Sequence, residues 1–509
     1  MNKKFIFKVT ILVGLLITFL YCIIPNINII MSHINKENYK RVTIFFTNDT
    51  HGRARQNKRN DEMGMALVQS LYTKNAPKNS EVLVLDVGDT IYGTNETDLN
   101  AGDPMIEILN TMNCKAMAVG NHEFDYGFDQ SMQAFEKANF PILSANIYKD
   151  GKRVFKPYTI LEVGNMKFGV IGLSTEETLT RTKPEYVKDL TITNSSDELK
   201  KLLPEVKAQS DFIVVLGHEH TDRLREIAKE FSDIDLIIAG HDHEVFKNLE
   251  KVGNVYLTSS GIFSHYAGMV DLVFKDKELV HAEGKMLKTK STNNADKTVA
   301  AIVSKYHDEI ATKLSVKIGE TKTDLGTAAD SYYKETNFGN AVTDAMREYM
   351  ETDVAIQNGG GIRNEIPAGD LTLYDINEAF PFVNYVISVE MTGSEIKEAL
   401  EVGLEKYPSG WNGGFPQVSG MTYTFDAKKP SGERLVSVFV GDEEIQDDKV
   451  YTVATNDYLY QGGDGYDVIK NSKLIYNSGM LIKDVFTEYV NKHPIIEFKV
   501  EGRAKVINE

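Results

Sequence analysis

The 509-residue sequence predicts an α/β protein of two unequal domains, each built from layered sheets and helices. Three observations carry that expectation. Short apolar runs rich in β-branched residues alternate with helical-looking stretches along most of the chain. Those runs end at glycine or polar residues. A polar stretch with one apolar helical face divides the pattern in two. The composition, 42% hydrophobic and 25% charged, supplies a sizeable core and excludes a fibrous or disordered chain.

The chain opens with Lys3, Lys4 and Lys8, followed by the apolar run 9–24 (VTILVGLLITFLYCII). Positive residues ahead of such a run read as an export signal or membrane anchor with its N-terminus inside. The run has the length at which a signal core and a spanning helix overlap, so a cleaved signal and a retained anchor both fit. Residues 1–40 are read as this segment and its tether, and the rest as extracytoplasmic: cell-surface, membrane-anchored or secreted. Of the two cysteines, Cys22 falls in the apolar run, which leaves Cys114 without a partner for an intradomain disulfide.

Net charge is −17, and the first 41 residues hold six basic side chains against Glu37 alone, so the remainder is more acidic than the total. A surface that acidic repels polyanions and excludes nucleic acid polymers as partners. A small anionic substrate would need local positive charge, which bound metal ions supply.

The first domain, residues 41–290, contains VTIFF (42–46), VLVLDV (82–87), KFGVIGL (167–173), FIVVL (212–216), DLIIA (235–239) and VYLTS (255–259), each of strand length. Residues 291–315 are the linker, where Val299, Ile302, Val303, Tyr306 and Ile310 recur at helical spacing. Residues 316–509 form the second domain, with DVAIQ (353–357), YVISVEM (385–391), a helix over 394–404, a hairpin-like stretch over 434–445 and VYTVAT (450–455).

The polar clusters of the first domain follow its strands. Asp49 and His51 follow VTIFF, Asp89 follows VLVLDV, and Asn121, His122 and Asp125 follow MAV (117–119). His218 follows FIVVL, and His241 and His243 follow DLIIA. Ligand sites of α/β sheets gather at the carboxyl ends of strands, so five such clusters converge on one crevice. Asp, His and Asn offer oxygen and nitrogen donors suited to Zn²⁺, Mn²⁺ or Mg²⁺, and a shared carboxylate can hold two such ions for in-line attack on phosphorus. Each cluster alone is an ordinary surface turn or helix cap, and His220 reads as a bystander. The metal reading rests on the five together.

The motifs T-N-D-x-H-G, G-D, G-N-H-E-F-D, G-H and G-H-D-H resemble those of the calcineurin-like metallophosphoesterases, and more narrowly of the 5′-nucleotidase family that includes the UDP-sugar hydrolases. The resemblance implies two divalent ions, one held by Asp49, His51, Asp89 and His243 and the other by Asp89, Asn121, His218 and His241. It also implies a His122–Asp125 dyad, in which Asp125 orients the ring and His122 stabilises the transition state or assists the leaving oxygen.

The second domain carries ETNFGN (335–340), NGGGIR (358–363), PF (381–382) and NDYLYQGGDGY (456–466). Consecutive glycines let backbone approach a ligand, Arg363 can pair with phosphate, and Phe382 and Tyr466 can stack on a base. Singly these are a turn, a surface arginine and core aromatics. Together they are similar to the C-terminal domain of the same family, extending the resemblance from residue 41 to the C-terminus. It implies that Phe382 and Tyr466 sandwich the base, Asn358 meets its edge and Arg363 holds phosphate. Where the family commonly has an arginine before E-T-N-x-G-N that helps hold phosphate, this chain has Lys334, which the resemblance places in that substrate-binding role and which keeps the charge but loses the bidentate fork.

The expected activity is therefore hydrolysis of nucleotides by an exported two-metal phosphoesterase of the 5′-nucleotidase type. Rival expectations are a 2′,3′-cyclic-nucleotide 2′-phosphodiesterase/3′-nucleotidase, a UDP-sugar diphosphatase, a sulfur-compound hydrolase on the same fold, and a surface nucleotide-binding protein without catalysis, which would predict damaged metal ligands.

Overall fold

Two six-stranded sheets stacked face to face make the body of the first domain in a computed structural model. The structure describes residues 39–508 other than 59, 183, 292–293, 327 and 409–412, so the N-terminal apolar run lies outside the described residues. One sheet runs parallel through Tyr39–Thr47, Glu81–Asp86, Ala116–Ala118 and Ile142–Leu143. The other runs parallel through Met166–Ser174, Phe212–His218, Leu236–Gly240 and Val255–Thr258.

Alternation along each strand assigns its side chains to layers. Ile44, Leu85, Val170, Val214 and Ile238 meet between the sheets. Phe45, Val84 and Met117 point the other way, into a cluster with the helices Met65–Asn75 and Asp103–Thr111. Ile171, Val215 and Ile237 do the same against Ser195–Gln209 and Thr221–Glu230. Burial on both faces explains why these strands read as continuous apolar runs.

Two features differ from the sequence reading. The first strand begins at Tyr39, pairing Tyr39 with Lys275 and Lys40 with Phe274, so the tether expected up to residue 40 gives up its last two residues to the sheet. The antiparallel pair Ala267–Lys275 and Glu278–Leu287 completes that sheet's edge. The latter strand escapes detection because only Gly284 in it is buried and Glu278, His281, Glu283 and Lys285 interrupt its apolar residues.

The helix Lys297–Leu314 is capped by Asp296, whose side chain accepts from the Thr298 and Val299 amides. It buries Val299 and Ile310, and Tyr306 donates to Glu107 at 2.8 Å. Beyond it lies a five-stranded sheet whose two parallel strands, Val354–Asn358 and Val450–Asn456, end side by side. The helices Asn337–Met350, Gly393–Leu404 and Ile482–Lys492 pack against that sheet. The carboxyl ends of these parallel strands face the metal-ligand loops of the first domain across a cavity of about 490 Å³.

Candidate active site

The loops after the parallel strands of both first-domain sheets bring the seven candidate ligands together. Side-chain atoms of Asp49, His51 and His243 that could bind one ion lie within 4.8 Å of one another, and so do those of Asp89, His218 and His241. His218 Nε2 stands 3.1 Å from Asp89 Oδ2 and 3.9 Å from Asp49 Oδ1. His51 Nε2 and His243 Nε2 are 3.4 Å apart.

The backbone at these loops is unusual. Asp49 (φ 49°), His51 (44°), Asp89 (52°), His241 (80°) and His243 (59°) all occupy left-handed conformations. Each costs roughly 1–3 kcal/mol for a residue with a Cβ, and such strain concentrates where surrounding structure holds a functional side chain in place. Gly120 admits this crowding: a Cβ there would run into Asp89 Oδ1 and lie 2.7 Å from His218 Cε1.

Hydrogen bonds fix the ligands' orientation. Asn48 Nδ2 donates to Asp49 Oδ2 at 2.7 Å, and the His122 amide donates to Asp89 Oδ1 at 2.8 Å. His218 Nδ1 donates to the Val87 carbonyl at 2.8 Å, which leaves Nε2 facing Asp89. The fully buried Glu123 accepts from the amides of Asp89 (2.8 Å), Thr90 (2.7 Å) and Gly120 (2.7 Å), so one carboxylate organises two ligand loops.

The donor set fits divalent cations. Burial drives His51 and His243 well below the usual imidazole range and His241 down to about 4, leaving neutral rings with lone pairs to give. Burial opposes a charge on His218, but Asp89 and Asp49 hold it up to about 10; the carboxylates demand a positive charge here. The fully buried His218 Nε2 has no hydrogen bond of good geometry. His241 Nε2 donates to Glu177, so Nδ1 presents a lone pair to Asn121 Oδ1 at 3.1 Å, two acceptors that a shared cation reconciles.

His122 Nδ1 donates to Asp125 Oδ2 at 2.9 Å. Burial opposes its protonation, but Asp125 and Asp89 outweigh that and raise its pKa. Its ring stacks beside Phe382, centroids 6.1 Å apart. The guanidinium of Arg363 lies 5.5 Å from the Phe382 ring centroid, and its Nη1 donates to Tyr332 Oη at 2.9 Å. Asn358 Nδ2 donates to Asp464 Oδ2 at 2.9 Å. All of these line the cavity.

Two residues singled out in the second domain are placed elsewhere. Tyr466 is fully buried in the core, and its hydroxyl donates to the Gly414 carbonyl at 2.6 Å. The aromatic of the same loop that lines the cavity is Tyr458, whose hydroxyl donates to the Thr180 carbonyl at 3.1 Å across the domain boundary. Lys334 points away from the cavity: Nζ pairs with Asp330 at 3.0 Å on a side chain 53% exposed. The E-T-N-x-G-N motif itself is structural. Thr336 caps the helix Asn337–Met350, and Glu335 accepts from Asn340 Nδ2 and the Glu501 amide, each at 2.7 Å.

Sequence reasoning passed over Glu123, Glu177, Tyr332, Tyr458 and Asp464. Glu123, Tyr458 and Asp464 stand inside the motifs given above, and a choice among neighbouring aromatics in one segment needs that segment's path.

Residues 42–245 match the calcineurin-like phosphoesterase model and residues 317–471 the 5′-nucleotidase C-terminal domain model. The chain is 30% identical over 512 residues to a 5′-nucleotidase of Vibrio vulnificus, covering 90% of this chain and 91% of the relative. It is 27% identical over 516 residues to protein UshA of Escherichia coli K12, covering 90% and 92%. The crystal structure of a 5′-nucleotidase precursor from Thermus thermophilus superposes with a TM-score of 0.83 at 28% identity, covering 92% of this chain and 100% of that one.

Proposed function

The chain belongs to the 5′-nucleotidase family and is a metal-dependent phosphoester hydrolase with a nucleotide substrate, and from that premise we propose that it is an exported 5′-nucleotidase that uses two divalent ions. The observation that carries the reading is one cavity with metal-ligand chemistry on one wall and Phe382, Tyr458, Arg363 and Asn358 on the other. Asp49, His51, Asp89 and His243 would hold one ion, and Asp89, Asn121, His218 and His241 the other. When bound, such ions activate water for in-line attack at phosphorus and neutralise the phosphoryl oxygens.

The chain's own groups do the rest. Phe382 and Tyr458 offer two ring faces for a base, and Asn358 and Asp464 offer polar groups to the nucleoside. Arg363, fixed by Tyr332, sets a guanidinium beside His122 for the phosphate. His122 keeps Nδ1–H on Asp125, so Nε2 is the atom that meets the phosphoryl group or the departing oxygen.

Export rests on the sequence of residues 1–38; among the described residues no helix is long and apolar enough to cross a membrane. Protease added to intact cells should reach the enzyme.

The reading is tested by phosphate release from AMP, ATP, UDP-glucose, 3′-AMP and 2′,3′-cyclic AMP with Mn²⁺, Zn²⁺ or Mg²⁺. AMP should be hydrolysed well, and Asp89→Asn should abolish turnover in a folded protein. A preference for 2′,3′-cyclic AMP would replace this reading with the cyclic phosphodiesterase one.

A further inference from the structure

Glu177 stands in the loop after the strand Met166–Ser174, outside every metal and nucleotide motif of the sequence. Its carboxylate bridges two imidazoles. Oε2 accepts from His241 Nε2 at 3.0 Å, and Oε1 stands 3.2 Å from His220 Nε2. His220 is held from its other side, with Nδ1 2.7 Å from Asp242 Oδ1, and Asp242 Oδ2 accepts from the Thr221 amide at 2.7 Å. Lys406 Nζ lies 3.9 Å from Glu177 Oε1.

The same loop reaches a second ligand. Thr182 Oγ1 donates to the main-chain carbonyl of Asn121 at 2.7 Å. One loop therefore braces both Asn121 and His241, two of the four groups assigned to a single ion. Their facing atoms, Asn121 Oδ1 and His241 Nδ1, are 3.1 Å apart.

An imidazole that commits Nε2–H to a carboxylate carries its lone pair at Nδ1, with its ring plane fixed. His218 receives the same service from the Val87 carbonyl. We propose that Glu177, itself held by His220, which Asp242 fixes in turn, is a positioning residue that sets the tautomer and ring orientation of His241 for the ion shared with Asn121. The proposal rests on the metal assignment made under Proposed function and extends it to a cavity-lining residue outside the seven assigned ligands.

The test is chelator competition with Zn²⁺ on the full-length chain, reading the affinity of each ion separately, together with the unfolding midpoint of the metal-free protein. Glu177→Ala should weaken one of the two ions by about 10–100-fold. The other ion and the metal-free midpoint should stay unchanged, which a merely structural role would not give. Glu177→Gln keeps an acceptor oxygen for His241 and should recover part of that loss. His241→Ala is the reference and should remove the same ion.

If His241→Ala loses one ion while both Glu177 variants keep wild-type affinities, the positioning role is overturned and the metal assignment stands. If His241→Ala itself keeps both ions, the assignment falls and the proposal with it. Equal weakening of both ions in Glu177→Ala would also overturn the proposal. So would a third ion per chain lost in that variant, because Glu177, His220 and His241 would then be ligands themselves.

Discussion

Tyr458 and Tyr466 share one glycine-rich loop and serve opposite purposes. Tyr458 gives a ring to the cavity, whereas Tyr466 spends its ring on the core and its hydroxyl on Gly414. Base stacking is worth about 1–3 kcal/mol per base, so Tyr458→Ala should raise KM for AMP by roughly 10–100-fold. Hydrolysis of a small aryl phosphate ester should change little. Tyr466→Phe leaves a buried carbonyl unmet and should lower stability by about 1–3 kcal/mol with KM for AMP unchanged. A reversal of these two patterns in steady-state kinetics and urea unfolding would return the base to Tyr466. Lys334→Arg belongs to the same scale: with Nζ on Asp330, the ADP-to-AMP ratio of kcat/KM should not move. A ratio shifted several-fold would put this side chain back beside the phosphate.

At the scale of elements, the short helical turn His122–Phe124 does more than present a histidine. Through Glu123 it gathers the amides of the loop after Glu81–Asp86 and of Gly120. Burial pushes the Glu123 carboxyl up to about 7, so the amide bonds hold a group that the interior otherwise disfavours. Glu123→Ala strands several buried N–H groups, each costing about 1–3 kcal/mol. The metal-free protein should lose several kcal/mol in urea unfolding, and both ions should bind more weakly because the Asp89 loop is released. A loss within about 0.5 kcal/mol, the size of an ordinary surface change, would show that the loop holds itself.

Across the whole molecule the domains meet through buried acids. Glu378 accepts from the Asn95 amide at 2.8 Å, Tyr374 donates to Glu96 at 2.8 Å, and Tyr126 donates to the Pro381 carbonyl. Burial pushes Glu378 up to about 7, and pushes Asp98, close to Asp125 and Glu378, up to about 8. Both hold a proton in the folded protein where the unfolded chain, near 3.8 and 4.5, has released it. Between those limits the folded state binds more protons at these two groups, so their contribution to stability falls as pH rises toward about 8 and then levels. Asp98→Asn keeps an oxygen for the Gly93 amide and removes one titration. Relative to wild type, the variant should gain stability between pH 5 and pH 9, on the order of 1 kcal/mol or more in urea midpoints. Parallel pH profiles for the two proteins would contradict the shift.

The strands were legible because a strand buried on both faces is a local pattern, and the metal motifs were legible because each sits immediately past such a strand. The sequence by itself thus determined the α/β layers and the order in which Asp49, Asp89, Asn121, His218 and His241 reach one crevice. Only the tertiary structure decided which aromatic of 456–466 faces the cavity, that Lys334 turns to Asp330, and that Glu177 meets His241. These outcomes depend on the path of loops, several of them with left-handed residues, packed against segments far away in the chain. No periodicity encodes such a path; contacts made only after the two domains close around the cavity fix it.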